Sequence, residues 1–462
     1  MHHTFDVRIW AIKPRVNKQG KTTSYGVRWL VAGKEFYESF KSRTLADGYR
    51  SELLSAQRRG EPFELTSGEP TSMRRSAHDV LWFDLACDYV DAKWAGSAAT
   101  ARQTTAEALI RVAPVFLKQG RGRPAAREIR SMLRGWAFNT DKRAEGLPVE
   151  VKETFEWCAR NSLPISSVSD PTVLDALEKA VTTSLSGKRY APSVARKTRS
   201  VLSNFFAYAV KRGALNKNPL PDTKWVAMPK GNRTIDPRTV PNPFQARTLL
   251  NAVRDVSAGR SGKRLEAFFG VMYHAGLRPE EAVALRREKL KLPDRGWGTI
   301  YVDYAAPHAG AHWTGTGRAR ELRGVKARDD DEGRAVPCSP ELVDLLKKHL
   351  EKYDTGPDGL VFTGEQGGVV PKITYMRVWR AARQQVLSEE VAKTRLARRP
   401  YSLRHAAVST WLAAGVDPAT VARWAGHSVA ILLETYAACL HGQDVIAQQQ
   451  VEKLLGYQQP GK

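Results

Sequence analysis

The sequence is poor in cysteine. Its four, Cys87, Cys158, Cys338 and Cys439, lie far apart and form no C-x-x-C pair. This excludes a disulfide-stapled scaffold, argues against a structural zinc site and fits a reducing, cytosolic setting. Long apolar runs are also missing. The longest, around Leu265 to Leu277, includes His274 and is too short to span a bilayer. The first residues carry no apolar signal core. Acidic residues are scarce beside basic ones, 48 Asp and Glu against 72 Lys and Arg, which gives a formal charge of +24. A nucleotide-binding phosphate loop is incomplete: Gly20-Lys21-Thr22 has the form of its end, but Arg15 stands where its first glycine belongs.

What is present points another way. The chain has 462 residues, 42% of them hydrophobic, enough for real cores and for two or three domains. Its basic excess favours a polyanionic partner, with nucleic acid ahead of a membrane surface, because the basic residues are spread along the chain rather than gathered in a juxtamembrane block. A generally basic soluble protein is the plainer alternative.

Three regions are expected, in a mainly α fold with small β-sheets (α+β). Residues 1–65 read as a small basic sheet plus a helix. Phe5 to Trp10 alternates apolar and polar, Asn17 to Gly20 is a turn, Tyr25 to Val31 and Lys34 to Phe40 are strands, and Thr44 caps a helix to Arg58. Arg8, Lys13, Arg15, Lys18, Lys21 and Arg28 give a sheet that could lie in a DNA groove, or equally an ordinary solvated face. Residues 66–75 suit a linker. Residues 76–222 read as helical. In the segment opened by Tyr190 to Ser193 and ended by Gly213, apolar residues from Val194 to Ala209 line one side, and Arg196, Lys197, Arg199, Lys211 and Arg212 offer a phosphate-tracking surface or a solvated face. Prolines between Asn216 and Pro243 mark a second boundary, and residues 240–462 form the third region.

The third region carries the chemistry. A helix from about Lys263 stops at Gly276, and Pro279 fits the first turn of the next, so Arg278 sits at a helix–helix corner that favours anions. An arginine there can hold a phosphate at two points, with Glu281 one turn later to orient it; a simple capping salt bridge is the alternative. Downstream come Tyr401-Ser-Leu-Arg404-His405, then Trp424-Ala-Gly-His427-Ser428, then Glu434-Thr-Tyr436. Gly415, Asp417-Pro418, Gly426 and Ser428 punctuate this stretch into three short helices. Alone, Tyr436 reads as a core aromatic and His427 as a helix cap; beside two arginines they suit attack on a phosphodiester. Leu322 to Lys326 and Arg334 to Cys338 read as a strand pair, from which Lys326 could act as a proton donor. The acidic stretch Asp329 to Glu332 between them reads as a solvated turn rather than a metal site, because consecutive carboxylates cannot all face one ion.

Ala275-Gly-Leu-Arg278-x-x-Glu281, Leu403-Arg404-His405, Gly426-His427-Ser428 and the nine-residue step to Tyr436 resemble the tyrosine recombinase family, above all phage-type integrases of actinobacterial mobile elements. The resemblance implies an arm-type DNA-binding domain, a helical core-type DNA-binding domain and a catalytic domain. It implies Tyr436 as the nucleophile that forms a 3′-phosphotyrosyl link. It further implies Arg278 and Arg404 on the non-bridging oxygens, His427 as a hydrogen-bond donor to phosphate and Lys326 as the acid for the 5′ oxygen. No metal and no cofactor is implied. The implied partners are double-stranded DNA attachment sites, a homotetramer on synapsed DNA, an excisionase-type accessory protein and a DNA-bending protein, in the nucleoid of a bacterial host. Tyr401 departs from the pattern, standing where the family has a histidine, and a phenol is a poor base near neutral pH. A type IB topoisomerase shares the chemistry, and a non-catalytic DNA-binding regulator is the reading from another class.

Overall fold

The computed structural model describes residues 3–16, 22–71, 80–184, 186–221, 225, 234–256, 261–325, 333–436, 448, 451–452 and 454–455. The turn expected at Asn17 to Gly20, Lys18, Lys21, Lys326 and the acidic stretch 329–332 fall outside them. The fold is mainly α with small β-sheets, and no described helix is long and apolar enough to cross a membrane. The chain divides into two compact units, Met1–Ser97 with Thr104–Met228, and Ala98–Gln103 with Pro229–Lys462.

The first unit begins with an antiparallel sheet of β1 (Val7–Ile9), β2 (Lys13–Val16), β3 (Thr22–Val31) and β4 (Lys34–Phe40), with β3 central. Alternation along β3 buries Val27, Trp29 and Val31 against Leu53 and Ala56 of helix α1 (Arg43–Arg58). The cap of α1 is Ser42, whose hydroxyl accepts from the Leu45 backbone N–H at 3.3 Å; Thr44, expected in that role, lies inside the first turn. Arg8, Lys13 and Arg15 are exposed, whereas Arg28 pairs with Glu35 at 3.2 Å and lies 5.2 Å from the Trp10 ring.

Farther along the same unit, helix α2 (Trp82–Trp94) buries Trp82 and Phe83, with Trp82 stacked on Phe116 at 5.2 Å between ring centres. Helix α3 (Pro192–Lys211) starts on a proline at its first position and buries Ala195, Thr198, Leu202, Phe205, Phe206 and Ala209 on one stripe. Of its basic residues, Arg196, Lys197, Lys211 and Arg212 are exposed. Arg199 is taken up by the fold: it donates to the Leu220 carbonyl at 3.2 Å and stacks 5.0 Å from Trp225.

The second unit is built on helices α4 (Pro243–Asp255) and α5 (Ser261–His274), with α6 (Pro279–Val283) after a tight corner. A three-stranded sheet follows, ordered Arg334–Cys338, Gly298–Val302, Leu290–Lys291, with strand β5 (Gly298–Val302) central and β6 (Arg334–Cys338) at one edge. The strand pair expected between Leu322–Lys326 and Arg334–Cys338 does not form. Arg323–Gly324 pairs with Tyr304–Ala305, and β6 pairs with β5, Arg334 facing Val302 and Val336 facing Ile300. The pleat decides this: the inward residues of β5 and β6 share one core, which also holds Phe268, Phe269 and Trp379.

Helices α7 (Tyr401–Ala413), α8 (Pro418–Ala425) and α9 (Val429–Tyr436) follow in the same unit. Asp417 caps α8 through the Thr420 N–H at 2.8 Å, Gly426 ends it at a φ of 64°, and Ser428 caps α9 through the Ile431 N–H at 3.3 Å. Gly276 makes the corner after α5 at a φ of 60°, where a Cβ would meet the Trp411 ring at 2.8 Å. Gly276→Ala therefore combines backbone strain with overpacking, and we expect a loss of about 1–3 kcal/mol. Thermal unfolding should show a Tm lower by at least a few degrees; an unchanged Tm would show that the corner relaxes at no cost.

Candidate active site

One carboxylate gathers the site. Glu281, 1% exposed, stands in the first turn of α6, and its oxygens face three arginines. Arg278 gives its backbone N–H at 2.8 Å and its guanidinium at 2.7 Å. Arg334, at the start of β6, binds both oxygens at 3.0 and 2.7 Å and donates through Nε to the Trp424 carbonyl at 2.7 Å. Arg404 comes within 4.0 Å. Burial alone would raise the Glu281 carboxyl, but Arg334, then Arg278 and Arg404, outweigh it and hold it at about 2.

Arg404 is fully buried in the first turn of α7. Its guanidinium donates to the Gly276 and Ala425 carbonyls and to His427 Nε2 at 2.9 Å. An arginine has no lone pair to offer, so His427 is neutral and carries its proton on Nδ1. Burial first, then the charges of Arg404, Arg278 and Arg334, push the His427 imidazole down to about 3. Burial and Arg278 likewise lower Arg404. Arg404 Nε and His427 Nδ1 are buried donors with no acceptor among the described residues. Arg278 remains part-exposed and also donates to the Gly426 carbonyl at 3.0 Å.

Tyr436 ends α9 with its ring buried among Val408, Leu412, Val421 and Leu432. Its hydroxyl lies 2.8 Å from His405 Nδ1, and its ring centre lies 6.4 Å from that of His427. Tyr401 packs edge-on against His405 at 4.9 Å, and its phenol acts electrostatically on both Arg278 and Arg404. Five of the six expected site residues, Arg278, Tyr401, Arg404, His427 and Tyr436, thus share one cluster; Lys326 lies outside the described residues.

Residues 241–441 match the model of the phage integrase family. Over those residues the chain carries a domain of that family, the tyrosine recombinases. A tyrosine recombinase named XerD from Lacticaseibacillus casei is 25% identical over 245 residues, spanning 52% of this chain and 69% of that protein. Among solved structures, the Tn1549 transposon integrase in complex with a circular intermediate DNA aligns at 18% identity, over 68% of this chain and 96% of that chain, with a TM-score of 0.48. The lambda integrase dimer bound to a COC' core site aligns at 14% identity over 93% and 95%, with a TM-score of 0.46.

Two members of this cluster have no role that the sequence alone makes legible. Arg334 was legible only as a strand residue, yet its alternation with Val336 and Cys338 puts a charge on the core face, where it must find a counter-ion. His405 was part of the motif, but nothing in the spacing aims it at Tyr436 rather than at solvent.

Glu281→Gln tests the cluster. The carboxyl sits at about 2 in the fold against an ordinary 4.5, so its contribution is complete above about pH 4.5 and lost as the pH falls toward 2. We expect the variant to lose about 3–5 kcal/mol at neutral pH. The gap from wild type, measured by denaturant unfolding, should shrink below pH 4.5; a constant gap would show that the charge contributes nothing.

Proposed function

We propose that this tyrosine recombinase cuts and rejoins DNA through Tyr436 and integrates a mobile element into a chromosome. The Tyr436 oxygen attacks the scissile phosphorus. A tyrosyl O–P bond forms, the bond to the 5′ oxygen breaks, and a 3′-phosphotyrosyl link remains. Attack by a second strand's 5′ hydroxyl reverses these steps and releases the tyrosine, so the phosphodiester energy is conserved and no nucleotide cofactor is consumed. Arg278 and Arg404 take the non-bridging oxygens, His427 donates a neutral hydrogen bond, and Lys326 protonates the departing 5′ oxygen.

The observation that carries this reading is the pair of buried donors, Arg404 Nε and His427 Nδ1, left without acceptors among the described residues inside a cluster of three arginines and one carboxylate. Each such donor costs about 1–3 kcal/mol when unpaired, and a phosphate oxygen is an acceptor of the right charge. The +24 charge supports a duplex DNA partner. Attachment sites as substrate, a synaptic homotetramer, and excisionase-type and DNA-bending helpers complete the proposal.

The test uses a nicked suicide duplex carrying an attachment site. Wild type should trap a covalent protein–DNA adduct and Tyr436→Phe none. Arg404→Ala should slow trapping by about 10²–10³-fold. An adduct that persists in Tyr436→Phe overturns the nucleophile, and plasmid relaxation without two-site recombination favours the topoisomerase reading. DNA affinity should also fall steeply between 50 and 200 mM salt, by roughly 10³-fold or more if six or more phosphates are contacted. A nearly flat response counts against DNA as the partner.

A further inference from the structure

Tyr401 leaves a gap in the proton inventory. Attack by Tyr436 releases a phenolic proton, and a phenol at position 401 cannot take it near neutral pH. Among the described residues, three histidine or tyrosine side chains stand around the Tyr436 ring: His427, His405 and, behind His405, Tyr401. His427 is already committed, its Nε2 accepting from Arg404 at 2.9 Å and its Nδ1 carrying the proton that makes it a donor. His405 is the imidazole in direct contact with the hydroxyl, with Nδ1 2.8 Å from the Tyr436 oxygen, inside the reach required of a general base.

We propose that His405 is the general base that removes the Tyr436 proton during strand cleavage, with Tyr401 as the residue that positions its ring. The inference rests on Tyr436 being the nucleophile. The step balances within the chain. The proton passes from the Tyr436 oxygen to His405 Nδ1 as the O–P bond forms, and the departing 5′ oxygen takes a proton from Lys326. In the reverse reaction His405 returns the proton to the leaving phenolate.

The surroundings suit this exchange. Burial first, and then the Arg404 guanidinium, push the His405 imidazole down to about 4, so before DNA binds it is neutral and its Nδ1 can accept. The groups that face it are Tyr401 and Arg404 on its own helix, His427 after α8 and Tyr436 on α9. A phosphate bound on Arg404 offsets the guanidinium charge that depresses His405, so the base strengthens when its substrate arrives. His405 and Arg404 are consecutive residues of α7, so the proton acceptor and the phosphate anchor move as one body. Tyr401 holds the ring from the other side, edge-on at 4.9 Å.

The experiment measures single-turnover adduct formation on the suicide duplex from pH 5.5 to 9.5 for wild type, His405→Ala and His405→Asn. Thermal unfolding of each protein identifies any variant that fails to fold, and the second substitution then carries the test. Wild type should vary little over this range. Both variants should fall about 10²–10⁴-fold near pH 7. Their rates should climb about tenfold per pH unit toward the ordinary phenol pKa of about 10. A duplex with sulfur in place of the departing 5′ oxygen separates base from acid, because a thiolate leaves without protonation. It should rescue Lys326→Ala and leave His405→Ala slow. Two results overturn the assignment: variants that share the wild-type pH profile, whatever their absolute rate, or a His405→Asn protein as fast as wild type. If wild type forms no Tyr436-dependent adduct, the recombination chemistry fails with it; if it does and only the His405 results disagree, this inference alone fails.

Discussion

Glu281 sits with almost no exposed surface among the guanidinium groups of Arg334, Arg278 and Arg404. Each arginine arrives from a different element: Arg334 from an edge strand, Arg278 from the corner between α5 and α6, Arg404 from the first turn of α7. The carboxylate therefore fixes the corner, the sheet and the helix to one another. Its geometry is bidentate toward Arg334, which is the form in which a buried pair offsets its desolvation. Removing it would leave three buried or half-buried cations with no counter-charge.

The arithmetic of the cluster is as informative as its geometry. Three guanidinium groups against one carboxylate leave a formal excess of two positive charges in a place that water barely reaches. Arg404 bears most of the strain: it is wholly buried, it is lowered by burial and by Arg278, and three of its hydrogen bonds go to neutral acceptors, two backbone carbonyls and an imidazole. Donors fixed in this way are preorganised. An incoming anion meets dipoles already aligned and need not reorganise them, which is where oxyanion stabilisation gains its advantage over water. Burial, and after it the same charges, keep His427 neutral, and so turn a residue that would otherwise titrate near neutrality into a fixed donor.

Much of this was legible in the sequence, and the reasons differ by residue. Arg278, Arg404, His427 and Tyr436 could be located because turn chemistry surrounds each: Gly276 and Pro279, Asp417 and Pro418, Gly426, Ser428. These residues have few conformations open to them, so they date the start and end of each helix. Arg334 escaped because a strand pattern records which face a residue lies on but not which strand lies beside it. The pairing of β6 with β5 follows from a shared core that only the folded chain assembles. His405 escaped for a related reason, since the face of α7 that meets α9 is set by packing between Leu412, Val421, Leu432 and Tyr436. The cap of α1 is Ser42, two residues before the expected Thr44, because both hydroxyls precede the same apolar stripe and only the backbone angles choose between them.

The position of Tyr436 follows from short-range geometry more than from long-range packing. Helix α8 is held at one end by Asp417 and at the other by the left-handed Gly426, and the chain then turns through His427 to the Ser428 cap of α9. That leaves eight residues of helix, a little over two turns, between the cap and the hydroxyl. On the opposite side, Arg404 and His405 are neighbours on α7 whose side chains diverge by about 100° around the helix axis. One is drawn to Gly276 and Ala425 and the other to the Tyr436 hydroxyl. A single helical turn therefore sets the relation between the buried guanidinium and the group that touches the phenol. Small shifts of α9 change the distance between the tyrosine and the arginines, but they cannot separate His405 from Arg404, which share one turn of α7. The Tyr436 hydroxyl is therefore held 2.8 Å from an imidazole whose neighbour in sequence is the fully buried Arg404, so a proton leaving the phenol and an anion arriving at the arginine would meet on one turn of α7.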